Sequence, residues 1–455
     1  MTDAAPQKPK ALKTRAVRAG LWSLFQVMTT HVFRLGSNLI MTRLLFPEAF
    51  GMMSMAVVIL TAFQLLSDIG IRQSIMRAEE GEAPHFLRAA WCVKISRGLW
   101  VAGCVLLAAL ALWALGPRFA PEGTVYADPR LAGLIALTAL SPVIMGLEST
   151  NKELALRNLD MRRVTFVQFG GMVASISAMI GFALIWPTVW ALMLGMLVTN
   201  LVQSVASHIV YPGPKMRFEP DRAIAADLWQ FGKYLMGSSA LTFVARNADR
   251  LILGSLLSSV SFGLYAIAMV WIEAGKKLLQ RLSNQVGFPV MSEVIRTRPE
   301  QLPRLFGRFQ RVIDALSLAA FATCALLGQW LIGALYTDIY SEAGIYLSLL
   351  SLTFLVMRFE PMNQLVVNTG NSRAMMWISA MRAVSLCVFL PLAFNAFGLK
   401  GAILVAALNP AISAPYVIYL LGPVLGRAQM RLAMGWLVGA LAIAYIMARY
   451  IHIAA

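Results

Sequence analysis

The residues of this chain that could do chemistry are charged side chains set inside apolar stretches. Arg34 stands in HVFRLGSNLIMT, Arg246 and Arg250 in VARNADRLILG, Lys276 and Lys277 in IEAGKKLLQ, and Arg358 in LVMRFEPMNQ. A guanidinium offers a planar fork of N–H donors that fits phosphate or carboxylate oxygens, and an ammonium offers a point charge. Asp68, Asp249, Glu273, Glu148 and Glu360 are interleaved with them. Carboxylates so placed are candidates for coupling to a proton or cation, or for gating.

Their spacing is helical. Ser23, Gln26, Thr30, Arg34 and Asn38 follow one another at steps of three or four, which puts them on one face. Ser238, Thr242, Arg246 and Arg250, with Asp249, repeat the pattern. Thr61, Gln64, Asp68 and Arg72 form a third stripe; Glu273, Lys276, Lys277, Gln280, Arg281 and Asn284 form a fourth. A charge at the centre of a bilayer costs about 2.5–3.5 kcal/mol on insertion scales, so it must face a partner or a water-filled cavity. The alternative to a cavity is an ion pair that fastens helices, such as Asp249 with Arg250 or Glu273 with Lys277. Near helix ends, snorkelling accounts for Arg72, Arg281 and Arg43. The mid-membrane positions hold more cations than anions, so the expected cavity favours an anionic substrate. Arg34, Arg246, Lys276, Lys277, Arg358, Asn38 and Arg250 are its candidate ligands. For Glu148, Asn151, Glu360 and Asn363, gating or packing contacts are as good a reading as substrate contact.

The elements that carry these residues are membrane helices. Of 455 residues, 58% are hydrophobic and 13% charged, against roughly 25% charged in soluble domains. Continuous Leu-, Ala- and Met-rich runs recur, long enough to span a bilayer and without the alternation of a barrel. Helices are expected at 20–41, 51–71, 88–115, 131–149, 164–185, 188–210, 233–257, 262–285, 310–336, 343–367, 374–395, 399–421 and 432–450. The connections at 211–232 and 286–309 have room for short surface helices. With the N-terminus inside, cytoplasmic segments hold about 25 Lys and Arg and outer ones about five. The net charge of +17 therefore reads as topology, not nucleic-acid binding. The basic start, from Lys8 to Arg18, leads into a run with His31 and Arg34 and no cleavage site, which reads as an uncleaved first helix. Cys92, Cys104, Cys324 and Cys387 are isolated and the four histidines scattered, so neither a metal nor a disulfide is indicated.

An offset of 212 residues links the two halves. Arg34 matches Arg246, Phe50-Gly51 matches Phe262-Gly263, Glu148 matches Glu360 and Asn151 matches Asn363. Gly20, Thr30 and Ala56 match Gly232, Thr242 and Ala268. A repeat of six helices keeps its orientation in the membrane. The expected fold is thus an all-α polytopic membrane protein of two six-helix lobes. They would be related by a pseudo-two-fold axis along the membrane normal, with a cavity between them and one or two extra C-terminal helices. The expected division is a basic cytoplasmic N-terminus 1–19, an N-lobe 20–210, a cytoplasmic linker 211–232, a C-lobe 233–421 and a C-terminal segment 422–455.

TRLLFPEAFGMMSMAVVI followed by LLSDIGIRQSIMR resembles the start of bacterial polysaccharide flippases, the O-antigen and exopolysaccharide transporters. NKELALRNLDMRRVTFVQF, NADRLILGSLLSSVSFGLYAIAMVW and LSNQVGFPVMSEV resemble further segments of that family, in order, over about residues 15–420. The resemblance implies membership of the multidrug, oligosaccharidyl-lipid and polysaccharide exporter superfamily. It implies transport of undecaprenyl-pyrophosphate-linked oligosaccharide to the periplasmic leaflet of the bacterial inner membrane by alternating access. It also implies that Arg34 and Arg246 bind pyrophosphate, with polysaccharide polymerase or assembly proteins as partners. No nucleotide-binding motif is present, so no cofactor is expected, and a proton or sodium gradient is the expected drive. Two other readings stand beside it: a drug or metabolite exporter of the same architecture, and a membrane-embedded glycan polymerase or glycosyltransferase. An enzyme would need a sizeable outer loop or an acidic catalytic motif, and neither is seen.

Overall fold

Helix-forming residues run almost unbroken between Pro- and Gly-marked turns, and the computed structural model is helical throughout, with no strand among the residues it describes, 9–368 and 372–453. The first half comprises α1 (Pro9–Leu44), α2 (Pro47–Leu66), α3 (Ile71–Arg77), α4 (Pro84–Phe119), α5 (Pro129–Thr138), α6 (Leu140–Leu147), α7 (Asn151–Arg157), α8 (Met161–Ile185) and α9 (Trp190–Ile209). The second comprises α10 (Arg222–Leu256), α11 (Ser259–Leu282), a π turn (Ser283–Gly287), α12 (Phe288–Thr297), α13 (Leu302–Leu335), α14 (Glu342–Leu350), α15 (Leu352–Val356), α16 (Phe359–Asn368), α17 (Ser372–Leu408) and α18 (Ala414–Ile453). Residues 1–8 of the expected basic N-terminus, Lys8 among them, lie outside the described residues. So do the side chains of Ser23 and Ser238.

All thirteen expected segments are helical, with instructive differences at their ends. The second stops at Leu66 because Ser67 caps it and Gly70 turns left-handed at φ 69° before α3. The fourth is broken at Ala139 into α5 and α6, and the tenth is broken at Ser351 and again before Phe359. Region 286–309 carries α12. Region 211–232 carries no separate helix, since α10 starts at Arg222. Prolines at the first turn start α2, α4 and α5, where a missing N–H costs nothing. Among the described residues, eight stretches are long and apolar enough to cross a membrane. The helices α1, α10 and α11 are not among them, and these carry Arg34, Arg246, Arg250, Lys276 and Lys277.

The chain divides into two compact units between Ala240 and Leu241, inside α10. In the first, Ile69, Ile71, Ile75, Phe86, Leu87 and Ala90 form a buried cluster that takes in Leu228 of α10. In the second, Phe359, Met362, Leu365, Ile378, Ala411, Ala414 and Val417 anchor a larger cluster. The two units share break points. Phe46 and Ser258 cap the starts of α2 and α11. Ala139 and Ser351 interrupt α5/α6 and α14/α15. Trp186 ends α8, and Gly398, at φ 64° and ψ −159°, breaks α17. Each pair stands 212 residues apart.

Candidate functional site

The cations of the first and seventh expected helices lie on open faces. Arg34 on α1 and Arg246 on α10 are exposed, with Asn38 and Arg250 half-buried one turn further on. Asp249 is buried and accepts the Tyr265 hydroxyl at 2.6 Å, so its partner is a neutral group on α11 and not its neighbour Arg250. Glu273 pairs with Lys276 at 2.9 Å, one turn along α11, while Lys277 is exposed. Arg250 and Lys277 both lie within electrostatic range of Glu273. The helices α10 and α11 thus bring Asp249, Arg250, Glu273, Lys276 and Lys277 together.

In the first unit the carboxylates are tied down. Glu148 follows α6 and lies between the Lys94 and Lys152 ammonium groups at 3.0 and 2.7 Å; Lys94 also reaches Glu153 at 3.3 Å. Asn151 donates to the Pro214 carbonyl at 3.2 Å. Burial and the nearby carboxylates Glu148, Glu153 and Asp160 push the Tyr211 phenol well above its ordinary range, so it stays neutral. Asp68 accepts from the Gly70 backbone N–H at 3.0 Å, which holds the turn between α2 and α3. Arg97 fastens that helix end by donating to the Gln64 carbonyl at 2.7 Å and to Ser67 Oγ at 3.3 Å. Lys94, Glu153 and Arg97 escaped the sequence reading. Their signal was two cations, Lys94 and Arg97, one turn apart inside the expected helix 88–115.

Arg358 is buried in the second unit. It pairs with Asp314 of α13 and lies over the Trp436 ring with its guanidinium carbon 5.0 Å from the centroid. Gln310 bridges the pair, donating to Asp314 at 2.9 Å and to the Arg358 carbonyl at 3.1 Å. The residues 212 positions earlier explain this place. They are Gly98 and Gly146, which face each other where α4 crosses α6; a methyl group on Gly146 would lie 3.1 Å from the Lys94 carbonyl oxygen. One unit closes the crossing by omitting side chains, the other by filling it with an amide and an ion pair. A small cavity lined by Phe306, Gln364, Leu365 and the π turn stands where the other unit has Lys94, Lys152 and Glu153.

A further cation, Arg382 on α17, joins this unit. Its Nε donates to Ser413 Oγ at 2.9 Å, and it lies within electrostatic range of Glu360 and Arg246. It was missed because no polar stripe accompanies it. No group of three His, Cys, Asp or Glu among the described residues is placed to hold a metal, and the four cysteines are free thiols.

Membrane-length helices with charges on inner and open faces define a multi-pass helical membrane protein. The chain belongs to the family described as polysaccharide biosynthesis protein, which matches residues 40–345. Over 323 residues it is 22% identical to the lipopolysaccharide biosynthesis protein WzxC of Escherichia coli K12, covering 70% of this chain and 61% of that protein. It is 24% identical over 258 residues to the amylovoran biosynthesis protein AmsL of Erwinia amylovora, covering 56% and 65%. The chain thus spans less than two thirds of the length of these two relatives. A membrane protein encoded in the cps region of Klebsiella pneumoniae is 22% identical over 92% of this chain and 84% of its own length. The fold is similar to that of the lipid II flippase MurJ in an inward closed conformation, at TM-score 0.67 and 12% identity over 94% of this chain and 92% of that one. An inward-facing multidrug transporter of the MATE family gives TM-score 0.61 at 13% identity over 92% and 99%.

Proposed function

We propose that this protein is a flippase that moves an undecaprenyl-pyrophosphate-linked oligosaccharide from the cytoplasmic to the periplasmic leaflet of the bacterial inner membrane. It acts by alternating access, with its N-terminus in the cytoplasm, and serves surface or exopolysaccharide synthesis. The observation that carries the reading is the pair of exposed arginines, Arg34 and Arg246, at matching places in helices α1 and α10 of a chain from a polysaccharide biosynthesis family. Each guanidinium is a ligand for pyrophosphate oxygens. Arg250, Lys276 and Lys277 extend the cationic surface of α10 and α11. Arg358, a candidate ligand on sequence, is buried and paired with Asp314 over the Trp436 ring, so its charge is already partnered within the packing. Asp68, Asp249, Glu273 and Glu360 are the candidates for coupling to a proton or sodium gradient. The excess of cations supports an anionic cargo over the cationic drugs that a multidrug exporter would carry.

In a cell that needs this glycan, Arg34→Ala or Arg246→Ala lowers surface glycan by at least about tenfold at equal protein level, the loss of a charge-assisted contact. Replacement by Lys restores only part of it. Unchanged glycan in either alanine variant would sink that residue's role.

A further inference from the structure

The segment that joins α9 to α10 reads YPGPKMRFEPDR, residues 211–222. Pro212, Pro214 and Pro220 stiffen it. It is also fastened to the first unit along its length. Tyr211 is buried against Ala155, Val164 and Val167. The Pro214 carbonyl accepts from Asn151 Nδ2 at 3.2 Å, and the Lys215 carbonyl from Arg88 Nε at 3.2 Å. Met216 Sδ accepts the Thr150 hydroxyl at 3.3 Å. Both Glu219 oxygens accept from Arg88 Nη1 at 3.0 Å. Asp221 caps α10, accepting the Ala223 and Ile224 backbone N–H groups at 2.8 and 3.2 Å. These fastenings use backbone carbonyls and both acids of the segment. The cations take no part in them: Lys215, Arg217 and Arg222 are exposed, and Phe218 stands out among them, 69% exposed.

The place where the segment is held matters as much as its charge. Other open apolar side chains nearby, Phe166 and Ile209, belong to α8 and α9, helices long and apolar enough to cross a membrane. Arg88 stands near the start of α4, another such helix, and Val164 near the start of α8. The fastenings therefore keep the segment level with the ends of three membrane-crossing helices, where lipid headgroups lie. An aromatic ring between cations at that level partitions into the membrane interface, and the cations are drawn to anionic lipid. We propose that Lys215, Arg217 and Phe218 form a prong that docks on anionic phospholipid at the membrane surface. The two cations meet the headgroups, and the Phe218 ring enters the interface between them. An acidic protein would match the cations, but only a bilayer also offers an apolar layer at the level where the prong is held. That the leaflet is the cytoplasmic one rests on the topology proposed above; the lipid contact itself does not.

The test uses the full chain in phosphatidylcholine nanodiscs, with its four cysteines replaced by alanine and Phe218→Cys carrying a bimane dye. Short-chain phosphatidylglycerol is titrated in, with short-chain phosphatidylcholine and soluble glycerol phosphate as comparisons. Phosphatidylglycerol shifts the dye emission to the blue, and a nitroxide high on the acyl chain quenches it. Neither comparison compound gives this response. In the Lys215→Ala, Arg217→Ala double variant the half-point of the titration rises by about tenfold or more, at about fivefold per cation. Lys215→Arg leaves it unchanged. All these positions are exposed, so each variant should melt with its parent. Equal response to the two lipids, or an unchanged half-point in the double variant, would overturn the proposal. So would an equal response to glycerol phosphate, which would mark an ion site and not a membrane contact. A dye that stays in water with every lipid but turns blue with polyglutamate would overturn it in favour of an acidic protein. Labelling of Phe218→Cys from outside intact cells by an impermeant maleimide would remove the topology and keep the lipid contact.

Discussion

Arg358 shows what a charge inside a membrane protein can be for. On sequence it stands with Arg34 and Arg246 as a cation in an apolar run. In the structure its charge is spent on Asp314 and the Trp436 face, and Gln310 completes the contact. Removing one partner leaves the other buried and unpaired, so Arg358→Ala or Asp314→Ala should each destabilise the protein by about 3–5 kcal/mol. The Arg358→Met, Asp314→Leu double variant should lose less than either single one. Thermal unfolding in detergent, followed by tryptophan fluorescence, checks both statements. A double variant worse than both singles would mean that the pair contributes more than mutual neutralisation. The stripes of Arg34 and Arg246 were legible because helical periodicity is written in the spacing. The partner of Arg358 was not, because Asp314 lies 44 residues away on another helix. Arg382 was not legible either, since its meaning comes from Ser413 and Glu360, which only folding brings near.

At the scale of elements, composition placed the helices and local backbone chemistry decided where they stop. Expected segment 51–71 ran on past Leu66 because its apolar pattern continues through Ile69 and Ile71, while the left-handed Gly70 is a conformational fact that periodicity does not carry. Pro142 accounts for the break at Ala139, since it cannot donate to the Thr138 carbonyl four residues back and its ring crowds that oxygen, whereas the break at Ser351 falls in a run that hydropathy reads straight through. Gly398 is the sharper case. Its φ of 64° with ψ of −159° is open almost only to glycine, and nothing crowds the place where a Cβ would go. Gly398→Ala should therefore cost about 1–3 kcal/mol through backbone strain alone. A melting temperature equal to that of the wild type would show that the turn relaxes into another conformation. The corresponding Trp186→Ala change carries no such penalty, since Trp186 has φ −133° in the extended region.

For the whole molecule, the boundary between units lies inside a helix rather than in a loop. Sequence reading places a linker at 211–232, where charge is dense and hydropathy low, because those are the features that mark a connection. Packing follows other rules. Leu228 is buried against Phe86 and Leu87, the Phe231 ring lies under the Arg77 guanidinium at 4.5 Å, and Gly232 sits so close to Ile69 that a methyl group would strike its backbone. The start of α10 thus belongs to the first unit. A fragment ending at Ala240 should accumulate in membranes severalfold above one ending at Asp221, which lacks this surface; loss of a buried Leu alone costs about 2–5 kcal/mol. Quantitative blotting of the two tagged fragments decides it, and equal levels would mean that the contacts of residues 222–240 add nothing to the stability of this unit.

The crossing closed by Gly98 and Gly146 in one unit and by Gln310 and Arg358 in the other has a consequence for how the two halves can change over generations. Position 98 accepts no side chain, because a Cβ there would meet the Pro142 carbonyl. Position 310 needs a particular one, because a smaller residue takes the amide donor from Asp314 Oδ1 and from the Arg358 carbonyl. A saturation scan should find nearly every replacement harmful at both positions, for opposite reasons: Ala fails at 98 by excess and at 310 by deficit. Neither position would then tolerate the residue found 212 places away, so each crossing is locked by its own chemistry: one by the absence of side chains, the other by a filled ion pair.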